Sequence, residues 1–123
     1  MKIKELKKEL MKETILSKEV FLSAHSNIDL DAFAAMAGFS LISRKLKKRT
    51  FLIIDDKEIE PATKEAMGKV NKNLKIITTK EAKHLITPKS LLVVLDVNKP
   101  KLMCASKLLK YFSRIIVIDH HTE

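Results

Sequence analysis

The chain is short of several residues on which special-purpose sites are commonly built. It has one cysteine, Cys104, two glycines and three prolines in 123 residues. A lone cysteine excludes an intrachain disulfide and a zinc cluster built on thiolates, and it suits a reducing compartment. Two glycines, Gly38 and Gly68, exclude a glycine-rich phosphate loop. No apolar run approaches the roughly 18 residues of a membrane-spanning helix. The first ten residues, M-K-I-K-E-L-K-K-E-L, lack the uninterrupted apolar core of a signal peptide. The expectation is a soluble, cytoplasmic chain with no direct membrane contact of its own, which leaves open a membrane-anchored parent.

What is plentiful is lysine. The formal net charge is +9, with 46% hydrophobic and 32% charged residues, a composition that fits one soluble globular domain. A basic balance suits nucleic acid, nucleotides or other phosphate-rich partners. The lysines are spread evenly, however, which favours solvated helix faces over a dedicated groove. The densest run, residues 44–49, reads R-K-L-K-K-R. It closes a helical pattern where the helix dipole favours positive charge, and it has no interleaved aromatic for base stacking.

Apolar periodicity alternates between helix and strand. Residues 3–16 read as an amphipathic helix with Ile3, Leu6 and Leu10 on one face, and residues 20–24 as a strand. A long helix follows over 31–48, then a strand over 50–54 that ends in Asp55-Asp56. That acidic pair could bind a metal or a ribose, but a turn leading into a helix is the commoner use, and Pro61 supports a helix start. Short helices over 61–70 and 79–85 flank a weak strand at 75–78. Pro88 stops the second of them, and within it His84 reads as a surface or half-buried residue. Residues 90–95 form the strongest strand, 106–112 a short helix and 114–118 the last strand. No tight hairpin dipeptide occurs. The pattern predicts an α/β fold, Rossmann-like and doubly wound, with a mainly parallel sheet and helices on both faces. Residues 1–18 form a helix or connector and 19–123 the domain proper. The continuous apolar runs at 20–24, 91–95 and 115–118 read as central strands buried on both faces.

Those three runs end alike. The first is followed by H-S-N-I-D-L-D, which supplies His25, Asp29 and Asp31. The second ends in Asp96, and the third in Asp119-His120-His121. In an open parallel sheet, ligands bind beyond the carboxyl ends of the strands, so a Rossmann-like order would bring all seven residues to one rim. Taken singly, each has an ordinary use, since Asp29 or Asp31 could cap a helix. Several carboxylates, two or three imidazoles and no sulfur favour Mn²⁺, with Mg²⁺ or Fe²⁺ as substitutes. The carboxylates exceed the needs of one ion. They suit a pair about 3.5–4 Å apart, an arrangement used for in-line displacement at phosphorus.

At these residues the chain resembles the DHH phosphoesterase superfamily, whose signatures are H-x-x-x-D-x-D, a lone aspartate after a central strand, and D-H-H. It is most similar to the catalytic region of cyclic-di-AMP phosphodiesterases of the GdpP type, through the basic-rich first helix, I-T-T-K-E-A at 77–82, and Lys99-Pro100. The resemblance covers essentially the whole chain. It implies that His25 and Asp29 hold one manganese, that Asp31 and His120 hold the second, and that Asp96 bridges them. His121 would face the scissile phosphate, and Asp119 would orient a histidine from behind. Asn98 and Lys99 would lie behind the ligands or against substrate. The implied substrate is a small nucleotide phosphodiester, cyclic di-AMP, with short oligonucleotides as a further class, and the resemblance admits a homodimer.

Two departures stand out. Asn98 occupies a position where the family often has histidine, and an amide is a poorer metal ligand. The chain ends at Thr122-Glu123, two residues after D-H-H, whereas the family continues with a further metal-binding aspartate and a substrate domain. The expectation is a piece of a longer phosphodiesterase with an incomplete second metal site and weak activity alone. The alternatives are another DHH activity, as oligoribonuclease, exonuclease or pyrophosphatase, and a non-catalytic nucleotide-binding regulatory module.

Overall fold

In the computed structural model, residues 3–24, 30–55, 59, 61–70, 74–95 and 106–118 are described. Helix α1 (Ile3–Leu16) leads into strand β1 (Glu19–Ser23), helix α2 (Leu30–Lys45) and strand β2 (Arg49–Ile53). Helix α3 (Pro61–Val70), strand β3 (Ile76–Ile77), helix α4 (Thr79–Lys83) and strand β4 (Ser90–Leu95) follow. A 3-10 helix (Ser106–Tyr111) then precedes strand β5 (Arg114–Ile118). All four strand pairings are parallel, in the order β3-β2-β1-β4-β5. This is the α/β, Rossmann-like sheet expected from the alternating pattern. Pro61 stands at the first position of α3, where its missing N–H costs nothing.

Each strand sends alternate residues to opposite faces. Val20, Leu22, Leu91 and Val93 face a cluster completed by Phe33 and Met36 of α2, with Leu10 of α1 and Met67 of α3 packed against it. On the reverse face, Phe21, Leu92 and Val94 meet Ala82 of α4 and Leu108 of the 3-10 helix. There Phe21 stacks on Phe51 at 5.1 Å between centroids and meets Phe112 edge-on at 5.4 Å. Helices therefore cover both faces, and β1 and β4 are buried along their whole length. Within α2 the buried positions are Ala32, Phe33, Met36, Ser40 and Ser43. Phe39 is half-buried and Ala35 is exposed.

The last apolar run departs from expectation. Among the described strands β5 lies at the sheet edge, and its burial alternates, with Ile115 and Val117 exposed at 39% and 49%. A run of β-branched residues suits an edge as well as a centre, so only the strand order distinguishes them. The strand actually enclosed between β1 and β3 is β2.

Helix α2 stops three residues earlier than its apolar spacing predicts. Lys47 adopts a left-handed conformation with φ 61°. Its N–H donates to the Arg44 carbonyl at 2.9 Å, while the Lys48 N–H donates to the Ser43 carbonyl at 3.1 Å. These two bonds form a Schellman ending, with lysine where glycine is usual. Part of the basic run at 44–49 is engaged locally. The Lys48 ammonium donates to the Ile15 carbonyl at the end of α1 (2.8 Å), and the Arg49 guanidinium lies 5.5 Å from the Phe51 ring centre.

Polar ties pin the sheet at both edges. At the amino edge the buried Glu19 carboxylate accepts from Thr87 Oγ1 (2.6 Å) and Ser90 Oγ (2.8 Å), joining the start of β1 to the start of β4. At the carboxyl edge Asp55, just past β2, accepts from the Thr79 N–H (2.8 Å) and the Thr79 hydroxyl (2.7 Å). Thr79 opens α4, whose preceding Thr78 forms a capping box with Glu81. Helix α4 ends at Lys83, two residues before its predicted limit, and closes through a turn in which the Leu85 N–H donates to the Ala82 carbonyl.

Two stability changes follow. Lys47→Gly removes the side-chain penalty of the left-handed conformation and should raise unfolding free energy by about 0.5–1 kcal/mol, whereas Lys47→Val should lower it. Urea denaturation reads both, and equal midpoints would contradict the assignment. Asp55→Ala removes two charge-assisted bonds and should cost about 1.5–3 kcal/mol. An unchanged midpoint there would show that α4 is held by packing alone.

Candidate active site at the carboxyl edge of the sheet

The three strands whose endings carry the sequence motifs are neighbours. β1 pairs with β4 and β4 with β5, so all three emerge at the same edge. Their register is also level: Ser23 lies opposite Val94, Val94 opposite Val117, and Leu95 opposite Ile118. Counting one further residue puts Ala24 in step with Leu95 and Ile118. In sequence, the residues that follow these three are His25, Asp96 and Asp119. Neighbouring strands lie about 4.8 Å apart, so the three exits span about 10 Å of the rim.

The location within the sheet also matters. From β1 the chain builds β2 and β3 to one side, then crosses to place β4 and β5 on the other. The gap between β1 and β4 is therefore the point where strand order reverses, at which open α/β sheets form a crevice for ligands. Its base is apolar: Ala24 (fully buried), Ala32 and Leu95 belong to one cluster, with Ile118 packed against it. A dry base under ionisable groups strengthens their electrostatic interactions.

Of the sequence-predicted site residues, Asp31 is described. It is the second residue of α2 and exposed, so it occupies the first helical turn, not the capping position. Its neighbours Ala32 and Phe33 are buried in the cluster beneath the rim, which anchors that turn against the strand ends. His25, Asp29, Asp96, Asn98, Lys99, Asp119, His120 and His121 lie outside the described residues. Among the described residues, no three histidine, cysteine, aspartate or glutamate side chains gather into a metal-binding group.

The other acidic candidate, Asp55, directs both carboxylate oxygens to Thr79 and positions α4; Asp56 lies outside the described residues. The T-x-x-E spacing of Thr78 and Glu81 is the sequence signal that marks this helix start. His84 is exposed, as a surface residue. Glu19 was not distinguishable in sequence from a surface glutamate, because its hydroxyl partners lie about 70 positions away along the chain. No helix among the described residues is long and apolar enough to cross a membrane.

Comparison with known proteins places the chain among relatives of known family. The cyclic-di-AMP phosphodiesterase GdpP of Bacillus subtilis (strain 168) is 29% identical over 109 residues, covering 85% of this chain and 16% of the relative. The cyclic-di-AMP phosphodiesterase PdeA of Listeria monocytogenes serotype 1/2a (strain 10403S) is 29% identical over 109 residues, 85% of this chain and 17% of the relative. A membrane protein–large ribosomal subunit bL9 fusion protein of Onion yellows phytoplasma (strain OY-M) is 28% identical over 108 residues, 82% of this chain and 13% of its own length. The chain thus spans about one sixth of the length of these phosphodiesterases. The profile of the DHH family, N-terminal domain, matches residues 19–123. That stretch opens at the first residue of β1 and contains all three motif-bearing strand ends, and by it the chain belongs to the DHH family.

Proposed function

We propose that this chain carries the metal-holding part of a phosphodiesterase that hydrolyses a cyclic dinucleotide, cyclic di-AMP, to the linear dinucleotide. The observation that carries the reading is the level exit of β1, β4 and β5 at the strand-order reversal. Its substrate comes from the two relatives named as cyclic-di-AMP phosphodiesterases. The donor set suits hard divalent cations, being carboxylate and imidazole without thiolate, and Asp31 contributes a solvent-facing carboxylate at the rim.

In this proposal His25 and Asp29 would hold one Mn²⁺, Asp31 and His120 would hold a second, and Asp96 would serve as a ligand to the pair. When bound, the ions supply neutralisation of phosphate oxygens and acidify water at neutral pH. His121 would face the scissile phosphate. As water oxygen bonds to phosphorus and releases a proton to solvent, and the bond from phosphorus to the ribose oxygen breaks, the His121 imidazolium would pass its proton to the leaving oxygen. Asp119 orients a histidine ring, and Asn98 and Lys99 offer hydrogen bonds to the substrate. The amino terminus of α2, fixed beside the rim, adds positive potential suited to a phosphate.

Calorimetric titration of the complete gene product with Mn²⁺ tests the ligand set separately from turnover. Asp31→Ala should abolish one binding step and Asp96→Ala should weaken both; an isotherm unchanged by either substitution removes the assignment. In the complete gene product, Asp96→Ala should lower cyclic di-AMP hydrolysis at least about 100-fold, the effect of losing roughly 3 kcal/mol of transition-state stabilisation. Faster cleavage of linear pApA than of the cyclic dinucleotide would overturn the substrate.

A further inference from the structure

The sheet face opposite α2 carries a second chemically distinctive surface. Helix α4 and the 3-10 helix pack side by side there, each anchored by a buried residue, Ala82 at 0% and Leu108 at 2% exposure. Those anchors determine what points outward. On α4, Lys80 and Lys83 are exposed three positions apart; on the 3-10 helix, Lys107 and Lys110 are exposed with the same spacing. Residues three apart in a 3-10 helix eclipse one another, so Lys107 and Lys110 share one face. The acid on α4, Glu81, is turned back onto that helix's own start, where it accepts from the Thr78 N–H at 3.0 Å. The outward charge of the pair of helices is therefore positive.

Tyr111 stands where the two helices meet. It is 41% exposed, with the Lys83 ammonium 5.6 Å and the Lys110 ammonium 5.3 Å from its ring centre. Each helix thus contributes one cation to the same aromatic ring. The sequence separates these residues by more than 25 positions, so the densest run of basic residues contains no aromatic, while the folded surface does. Lysines on an exposed ring are weakly held, and their flexible stems can turn to a stronger anionic partner.

We propose that this surface binds single-stranded polynucleotide, with a base stacked on Tyr111 and the flanking phosphates taken by Lys83 and Lys110. Three observations favour that occupant. An exposed aromatic ring bracketed by ammonium groups is the combination that holds unpaired bases without sequence preference. A duplex keeps its bases stacked on each other and offers none to the ring. An anionic lipid surface would call for an apolar face, yet Tyr111 is the one large hydrophobic side chain these two helices expose among the described residues. The site is separate from the rim that carries Asp31, and the proposal stands whether or not the phosphodiesterase reading does.

Fluorescence anisotropy with a labelled oligouridine 12-mer, in chelator to prevent cleavage and at about 50 mM salt, tests it on the full chain. The double variant Lys83→Glu/Lys110→Glu should weaken binding at least about tenfold and reduce the salt slope by about 1.4, the share of two phosphate contacts. Tyr111→Ala should weaken binding about 5- to 100-fold while Tyr111→Phe stays within about twofold, since stacking needs the ring and not the hydroxyl. Lys45→Glu/Lys64→Glu makes the same change in net charge on exposed residues elsewhere and should cost less than about threefold. Equal losses in the two double variants would overturn the proposal, as would full binding by Tyr111→Ala. Lysine-dependent sedimentation with phosphatidylglycerol vesicles in the absence of oligonucleotide binding would also overturn it. Circular dichroism melting of each variant confirms that a loss of binding is not a loss of fold.

Discussion

The parallel pairing of β1 with β4 is the constraint on which the rest depends. The two strands are not consecutive in sequence, yet they lie side by side, buried on both faces, with the sheet extending outward from each. Their register is held at the amino edge by the buried Glu19 carboxylate, which reaches across to Thr87 and Ser90. A shift by one residue would move every side chain to the opposite face and separate Glu19 from those hydroxyls. It would also stagger the level exits at Ala24, Leu95 and Ile118. Fold stability and the alignment of the rim therefore rest on the same pairing.

The two faces serve different ends. One carries α1, α2 and α3 over the larger apolar cluster, and α2 brings Asp31 to the rim because Ala32 and Phe33 are buried beneath it. The other carries α4 and the 3-10 helix over a smaller cluster centred on three phenylalanines. Asp55 ties the neighbouring ends of β2 and β3 by holding the start of α4 against the end of β2. Carboxylates at strand ends in this chain thus divide by use. Asp55 is committed to backbone and hydroxyl donors, whereas Asp31 stands open to solvent.

Charge is organised in the same divided way. The basic run at 44–49 ends α2, with Lys48 bonded to α1 and Arg49 set over Phe51. Lys83 of α4 and Lys110 of the 3-10 helix are instead set against one exposed tyrosine ring. Net charge alone could not have told these two populations apart, because it does not record which carbonyls or rings the basic side chains meet in the fold.

Much of the fold was legible in order of appearance. β4, β5 and α3 begin and end where the apolar pattern and Pro61 place them, because buried parallel strands and a proline-started helix leave strong local signals. The motif residues were legible too, since histidine and aspartate after an apolar run are visible without coordinates. What local sequence lacks is lateral order. It does not contain the edge position of β5, the enclosure of β2, the left-handed Lys47 that ends α2, or the partners of Glu19 and Asp55. By itself, the sequence determined the elements, the family and the candidate ligands, all of which are encoded by short-range pattern. Only the tertiary structure decided that three separate strand endings share one level edge at the strand-order reversal, and that Tyr111 lies between lysines of two helices. Those juxtapositions arise from parallel pairing and layer packing, which join residues distant along the chain and leave no mark in any one stretch of it.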